Sequence, residues 1–272
     1  RELPRLVSDT VKGVWRVRRK STSAPGLARN FHPPETFLNH VVSAGRTFAS
    51  AALDLADVKA TGKQLGATIN DMVLAISTGA LRTLLLKYDG HADEPLLCGV
   101  PMSTDTSPER ISGNAIGTIV VSLPVHVTDP LEWVRLARVG SAIGKENARL
   151  LGHELVSRWS GYAPPALTEW GFRRIAASDS PNKLINVPIS NVPGPQEFGR
   201  IASAPLIELY SVGPLTFGVG VNITVWSYVD QLNISVLADD ATFEDPREVT
   251  EAMVDAFALI RQSAGLPAGA TP

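Results

Sequence analysis

Residues 185–195 read INVPISNVPGP, a β-like run that ends in a turn fixed by prolines. Its alternating apolar side chains predict a strand. Pro193 and Pro195 must end that strand, because each proline fixes φ and lacks an amide hydrogen. Gly194 between them permits a positive φ or the close approach of another group. The segment therefore predicts a rigid strand end.

Ser190 and Asn191 stand at this strand end. A hydroxyl and an amide on rigid backbone need no further ordering when a ligand arrives, which favours a binding or catalytic site. Alternatively, both side chains hydrogen-bond the backbone of the turn, as Ser and Asn commonly do. The local sequence leaves both interpretations open.

The composition is that of a chain with a full core. Of its 272 residues 44% are hydrophobic, which suffices for one large domain or two modest ones. A net charge of −2 and a pI near 6.2 argue against a nucleic-acid binder. Cys98 has no disulfide or metal partner nearby in the sequence, so we expect a buried thiol. No apolar run approaches the roughly 20 residues that cross a bilayer, so we expect a soluble or peripheral protein.

The N-terminal segment is basic and amphipathic. Residues 1–20 carry seven basic and two acidic side chains around apolar residues with partial helical spacing. Such a helix can lie on an anionic membrane surface or pack on a neighbouring element as a connection, and both interpretations remain open. We expect residues 1–34 to form this segment and a linker, residues 35–265 to form the main domain, and residues 266–272 to form a flexible tail.

Strand and helix patterns alternate along the main domain. Thr68 and Asp71 form a T-x-x-D start before a long apolar helix, as in a capping box. The predicted strands cover residues 45–55, 96–102, 118–127, 205–212, 216–226 and 231–238. The predicted helices cover 55–65, 68–88, 130–150, 153–177 with a break at Pro164-Pro165, and 246–264. Because the order lacks the even βαβ cadence of a Rossmann fold, we expect a two-layer α/β structure with a mixed β-sheet packed against helices.

The predicted strand 216–226 has one face without bulk. Gly218, Gly220 and Asn222 alternate with apolar residues, which leaves room beside the backbone. Either a bulge or a neighbouring element fills that room, or a ligand does.

Several common reaction centres have no support in the sequence. None of the five histidines has a His or Cys at metal-ligand spacing, so we expect no metal site. No GxSxG elbow, P-loop or GxGxxG motif is found.

Taken together, ordered segments over residues 34–262 resemble the C-terminal half of the bacterial wax ester synthase/diacylglycerol acyltransferase family. These segments are TFLN at 36–39, GATINDMVLA at 66–75, VPMS at 100–103, GN at 113–114, LP at 123–124, SNVPGP at 190–195, PL at 214–215, NIT at 222–224 and SY at 227–228.

The resemblance implies a chloramphenicol acetyltransferase-like half. In that fold two similar α/β halves face each other across a tunnel, which acyl-CoA and the acceptor alcohol enter from opposite ends. It implies acyl transfer from acyl-CoA to diacylglycerol or a fatty alcohol, with acyl-CoA as a substrate and no separate cofactor. The family's general base is the second histidine of an HHxxxDG motif in the N-terminal half, and this chain does not contain that motif. We therefore expect an N-terminal half as partner, either as the rest of the same enzyme or as a separate chain. We also expect a cytoplasmic location, with peripheral attachment at the inner membrane or at lipid droplets.

The resemblance also assigns candidate site residues within the C-terminal acyltransferase domain. Ser190 and Asn191 are expected to stabilise the oxyanion or to orient the acceptor. Asn70 and Asp71 match an Asn-Asp motif of the family, although helix capping by itself explains the spacing of Asp71. The remaining substrate-binding candidates are Gly194, Gly218, Gly220 and Asn222.

Departures from the family pattern support a second hypothesis. Residues 104–106 read TDT where the family commonly has a basic residue, His40 stands where a small residue is usual, and Asp230 replaces a common glycine. A non-catalytic lipid- or acyl-binding module with the same fold is therefore the alternative function, and a structural or interaction domain is a third.

Overall fold

The computed structural model describes residues 3–21, 26–28, 32–103, 116–151, 164–176 and 181–267. The GN segment at 113–114, the TDT departure at 104–106 and the first half of the predicted 153–177 helix lie outside these residues. In chain order the elements are α1 (Leu3–Ser21), β1 (Arg46–Asp54), α2 (Leu55–Leu65), α3 (Ile69–Tyr88), β2 (Leu96–Ser103), β3 (Ile116–Leu123), α4 (Pro130–Leu151), α5 (Pro165–Ala176), β4 (Val187–Val192), β5 (Arg200–Ile201), β6 (Ala204–Pro205), β7 (Val221–Tyr228), β8 (Gln231–Asp239) and α6 (Arg247–Ser263).

Six strands form one mixed sheet in the order β1-β8-β7-β4-β2-β3. The neighbours β7, β4 and β2 are parallel, whereas β8 is antiparallel to β1 and β7, and β3 is antiparallel to β2. The carboxyl ends of β2, β4 and β7 consequently meet at one edge, called here the C-terminal edge. The predicted mixed-sheet α/β fold is confirmed.

The helices cover one face of this sheet. Along β7, Val221, Ile223 and Val225 alternate with polar residues and belong to one buried cluster together with side chains of α3, α4 and α6. The polar residues between them, Asn222 and Thr224, point to the opposite face, as the two-residue period of a strand requires. The sheet therefore has an apolar helix-covered face and a polar second face.

A crossing segment, residues 193–220, covers part of this second face. Three side chains of β7 and β8 bond to its carbonyl groups: Tyr228 Oη to Leu206 O at 2.6 Å, Asn233 Nδ2 to Leu209 O at 2.9 Å, and Asn222 Nδ2 to Pro214 O at 2.8 Å. The predicted strand at 205–212 is wrong, because only Ala204–Pro205 pairs, with Arg200–Ile201. The predicted strand at 216–226 is shifted, because β7 begins at Val221.

Helix α3 begins with the predicted capping box. Thr68 Oγ1 accepts a hydrogen bond from Asp71 N at 3.2 Å, and Asp71 Oδ2 accepts one from Thr68 N at 3.0 Å. Within the described residues, α3 is the helix whose length and apolar composition would also suit a membrane span. Most of its side chains are buried against the sheet and the neighbouring helices, which is the pattern of a core helix.

A buried amide at the start of β4 connects three parts of the chain. Asn186, fully buried, accepts a bond from Leu97 N of β2 at 2.9 Å and donates to Pro34 O at 2.8 Å. It also donates at 2.8 Å to Asn39 Oδ1, and Asn39 in turn donates to Ile185 O at 3.1 Å. These bonds fix the entering segment 34–39 against the central strands.

The Asn186 bonds predict a large and local loss of stability on truncation. Asn186→Ala leaves the buried Leu97 N and the partly buried Pro34 O without their side-chain partner, and an unsatisfied buried group costs about 1–3 kcal/mol. We expect the free energy of unfolding, measured by urea denaturation, to fall by at least about 2 kcal/mol.

The matched control is Asn70→Ala, because Asn70 makes no hydrogen bond to another described residue and is half-buried. It should change the unfolding free energy by less than about 0.5 kcal/mol. Equal effects of the two substitutions would contradict the role given to Asn186.

Candidate functional site

The C-terminal edge gathers several of the predicted site residues. Ser190 and Asn191 lie in the second half of β4, which ends at Val192. Ser190 pairs with Thr224 of β7, and Asn191 pairs with Val225. In open α/β sheets, ligands commonly bind beyond the carboxyl ends of the parallel strands. This position fits a binding site.

The side chains of Ser190 and Asn191 point to opposite faces of the sheet. Asn191 shares the parity of Ile189 and faces the helix layer, whereas Ser190 shares the parity of Thr224 and faces the crossing segment. Both residues are half-buried, and neither side chain bonds to any other described residue. They therefore do not satisfy the backbone of the turn, and the alternative interpretation of their pattern is not supported.

The turn after β4 is fixed by the aromatic end of β7. A Cβ atom on Gly194 would lie 1.8 Å from Trp226 Nε1 and 2.1 Å from Ser227 O. Gly194 N also donates to Ser227 Oγ at 3.1 Å. Only glycine permits this approach, and the approaching group is the protein's own Trp226. Packing therefore accounts for Gly194, and the structure offers no room for a ligand at its Cα.

The start of α3 reaches the same edge of the sheet. The C-terminus of α3 borders a cavity that also contacts Leu96, the first residue of β2, so α3 runs antiparallel to β2. Its length of about 30 Å exceeds that of the strand, which brings its N-terminus to the C-terminal edge. Asp71 is used by the capping box. The amide of Asn70 is half-buried and not bonded to a described residue, so of the two it is the one available to a ligand.

The other predicted substrate-binding residues lie towards the opposite end of β7. Gly218 has a left-handed backbone, with φ of 69°, and its carbonyl accepts a bond from Asn182 N at 3.0 Å. Asn222 is buried, donates to Pro214 O, and accepts a bond from Thr224 Oγ1 at 2.9 Å. Gly218 holds the chain in place at that end. Asn222 lies on the same face of the sheet as Ser190 and bonds to Thr224, the residue that pairs with Ser190, but its amide oxygen and nitrogen both have partners in the protein.

The room beside Gly220 is filled by protein. A Cβ atom there would lie 2.2 Å from Thr242 Oγ1 and 2.5 Å from His40 Nε2. His40 Nε2 is 2.9 Å from Thr242 Oγ1, and His40 Nδ1 is 3.6 Å from the buried carboxylate of Asp239. Of the two explanations for the glycine-lined face, a neighbouring element is the correct one at Gly220. Histidine in place of the family's usual small residue at position 40 thus affects packing at the amino-terminal end of β7. It does not affect the C-terminal edge.

Cys98 is buried in the core, as predicted. Burial raises the pKa of its thiol far above the usual value, and a backbone hydrogen bond from Ile189 only partly opposes this. The thiol therefore stays protonated and is no nucleophile. Among the described residues no three His, Cys, Asp or Glu side chains gather as they would around a metal ion.

Sequence reasoning missed residues that shape the edge from β7. The hydroxyl of Tyr228 accepts a bond from Gly199 N at 2.8 Å and donates to Leu206 O, which anchors the crossing segment. Trp226 Nε1 is buried and has no partner among the described residues. The sequence signal for such a residue was Gly194 between two prolines. A glycine at such a position can indicate that a bulky side chain packs against its Cα.

Two family models match the chain. The model described as the WS/DGAT C-terminal domain matches residues 112–261, and the wax ester synthase/diacylglycerol acyltransferase catalytic domain matches residues 1–73. Together they cover the segments that carry Asn70, Ser190 and Asn191.

Curated relatives carry related names. A putative diacylglycerol O-acyltransferase of Mycobacterium tuberculosis is 57% identical over 265 residues, which is 97% of this chain and 56% of the relative. The O-acyltransferase WSD of Acinetobacter baylyi is 32% identical over 216 residues, covering 79% of this chain and 46% of that protein. This chain thus spans about half the length of the curated relatives it matches.

Solved structures support the same fold. The wax ester synthase/diacylglycerol acyltransferase from Marinobacter aquaeolei VT8 superposes with a TM-score of 0.69 at 24% identity, over 96% of this chain and 57% of that one. A condensation domain that releases the chain of the enacyloxin polyketide synthase superposes with a TM-score of 0.54 at 14% identity, over 96% of this chain and 49% of that one. The family models and the sequence identity to the curated relatives agree with the fold: the chain belongs to the wax ester synthase/diacylglycerol acyltransferase family.

Proposed function

We propose that this chain is the C-terminal half of an acyl-CoA-dependent O-acyltransferase that makes triacylglycerol or wax esters. The observation that carries the proposal is the pair Ser190 and Asn191 at the C-terminal edge of the parallel strands. The side-chain polar groups of this pair bond to no other described residue. The names of the relatives support diacylglycerol and fatty alcohols as acceptors. Acyl-CoA is a substrate, and the reaction needs no separate cofactor.

The chemistry requires a base from outside this chain. A histidine of an HHxxxDG motif in the N-terminal half removes the hydroxyl proton of the acceptor. The resulting alkoxide attacks the thioester carbonyl and forms a tetrahedral oxyanion. When the intermediate collapses, the carbon–sulfur bond breaks and the CoA thiolate takes the proton back from the histidine. The N-terminal half is therefore the partner that this proposal requires, and the match of the catalytic-domain model to residues 1–73 is compatible with it.

This half supplies hydrogen-bond donors to the reaction centre. The Ser190 hydroxyl and the Asn191 amide sit on stiff strand backbone, so they need little reorganisation when the oxyanion develops. The two side chains point to opposite faces of the sheet. One of them therefore donates to the oxyanion, while the other orients the acceptor or forms part of the wall of the site. Asn70 lies at the same edge and on the helix side, where it can assist Asn191.

The proposed location follows from the substrates. Diacylglycerol, fatty alcohols and their products are membrane-soluble, so we propose a cytoplasmic enzyme attached peripherally to the inner membrane or to lipid droplets. A non-catalytic acyl-binding module with the same fold would use the same edge without the base.

Ser190→Ala and Asn191→Ala test the donors in an enzyme reconstituted with its N-terminal half. Removing an oxyanion donor lowers kcat by about 10²–10³-fold. We expect this loss for one of the two variants and a smaller loss for the other, with unchanged melting temperature, because neither side chain holds the fold together. Thr224→Ser, on the neighbouring strand, is the control. Parallel losses of melting temperature and kcat would give both residues a structural role only.

Reconstitution separates the enzyme from the binding module. When the N-terminal half is supplied in trans, the mixture should transfer a radiolabelled acyl group from acyl-CoA to diacylglycerol or a fatty alcohol. The same mixture with the second histidine of HHxxxDG changed to alanine should be inactive. Acyl-CoA binding without transfer in the intact mixture would favour the non-catalytic module.

A further inference from the structure

Helix α1 has two apolar sides, one packed on α4 and the other largely exposed. Leu6 and Val17 are buried, and a Cβ atom on Gly13 would lie 3.0 Å from the carbonyl oxygen of Leu150. This side packs on α4, as expected of a connecting helix. The packing leaves the opposite side of α1 turned towards solvent.

The solvent side carries an apolar stripe. Val7, Val11 and Trp15 recur at four-residue spacing, so they line up along one side of the helix. Their exposed fractions are 43%, 63% and 61%. Three large apolar side chains exposed in a row are unusual for a surface that faces only water.

Basic residues border the stripe. Arg5, Lys12 and Arg16 are exposed and form a row about 100° further around the helix, which they share with the exposed Asp9. The charge is concentrated here: residues 1–20 carry seven basic and two acidic side chains, although the whole chain has a net charge of −2. An exposed apolar stripe beside basic side chains is the pattern of a helix that lies in the interface of an anionic bilayer.

We propose that the stripe of Val7, Val11 and Trp15, with Arg5, Lys12 and Arg16 beside it, is a docking surface for an anionic lipid membrane. The apolar side chains enter the boundary between headgroups and acyl chains, while the basic side chains bind the anionic headgroups. Leu6, Gly13 and Val17 keep the helix attached to α4, so docking brings the whole sheet to the membrane. This inference rests on the proposed function in one respect: it names the surface through which the proposed peripheral attachment to a membrane takes place.

Charge favours a membrane over the other possible occupants. A second copy of this chain would place one basic helix against another, which repels. An N-terminal half that covered the stripe would have to bury or neutralise the basic border as well. An anionic bilayer accepts both the apolar and the basic side chains without a specific partner sequence.

Vesicle flotation with the 272-residue chain tests the proposal without any substrate, so its outcome is independent of acyl transfer. The chain should float with vesicles of phosphatidylcholine and phosphatidylglycerol, but not with phosphatidylcholine alone, and added salt should weaken binding. Val11→Glu and Trp15→Ser should abolish flotation. Lys12→Ala and Arg16→Ala should each weaken the partition coefficient about fivefold, since one basic residue near an anionic surface contributes about 1 kcal/mol.

Leu259→Glu is the matched control for Val11→Glu, because Leu259 is an exposed apolar residue on α6, 46% accessible, beside the acidic residues Glu251 and Asp255. It should leave flotation unchanged, and circular dichroism should show that all variants remain folded. Absent flotation, or equal flotation of Val11→Glu and the parent chain, would overturn the proposal. Loss of flotation when the N-terminal half is added would assign the stripe to that half. A dimer in light scattering that Val11→Glu converts to a monomer would assign it to a second copy.

Discussion

The arrangement of this molecule depends on one buried amide, that of Asn186. Burying an amide costs free energy unless it is hydrogen-bonded, and here each of its polar atoms has a partner on a different part of the chain. It joins β4 to β2 and ties both strands to Asn39 in the segment that leads into the domain. The register of β4, and with it the position of Ser190 and Asn191 at the far end, follows from this anchoring.

The two ends of the parallel strands consequently differ in character. At the amino-terminal end, polar side chains bond to one another and to backbone, as His40, Thr242 and Asn222 show. At the carboxyl end, Ser190, Asn191 and Asn70 carry polar groups that the described part of the chain does not use. Under the proposed function, these are the groups that this half would contribute to the reaction centre.

Several elements could be predicted because local chemistry specifies them. The capping residues Thr68 and Asp71 marked the start of α3, and alternating apolar residues marked β8. The failure at 205–212 has a physical reason. An apolar extended segment becomes a strand only when a neighbouring backbone completes its hydrogen bonds, and here the amide of Asn233 and the hydroxyl of Tyr228 bond to it instead.

The sequence by itself determined the capped core helix and the rigid turn after Asn191, because these depend on residues close together in the chain. It also determined the mixed α/β class and the family resemblance, because these depend on the order of such local segments. Only the tertiary structure decided which candidates share a site. Ser190, Asn191 and Asn70 reach one edge, while Gly220 and Asn222 are enclosed by His40, Thr242 and the crossing segment. A glycine in the sequence indicates that another group approaches its Cα closely. It does not identify that group, because the group comes from a distant part of the chain.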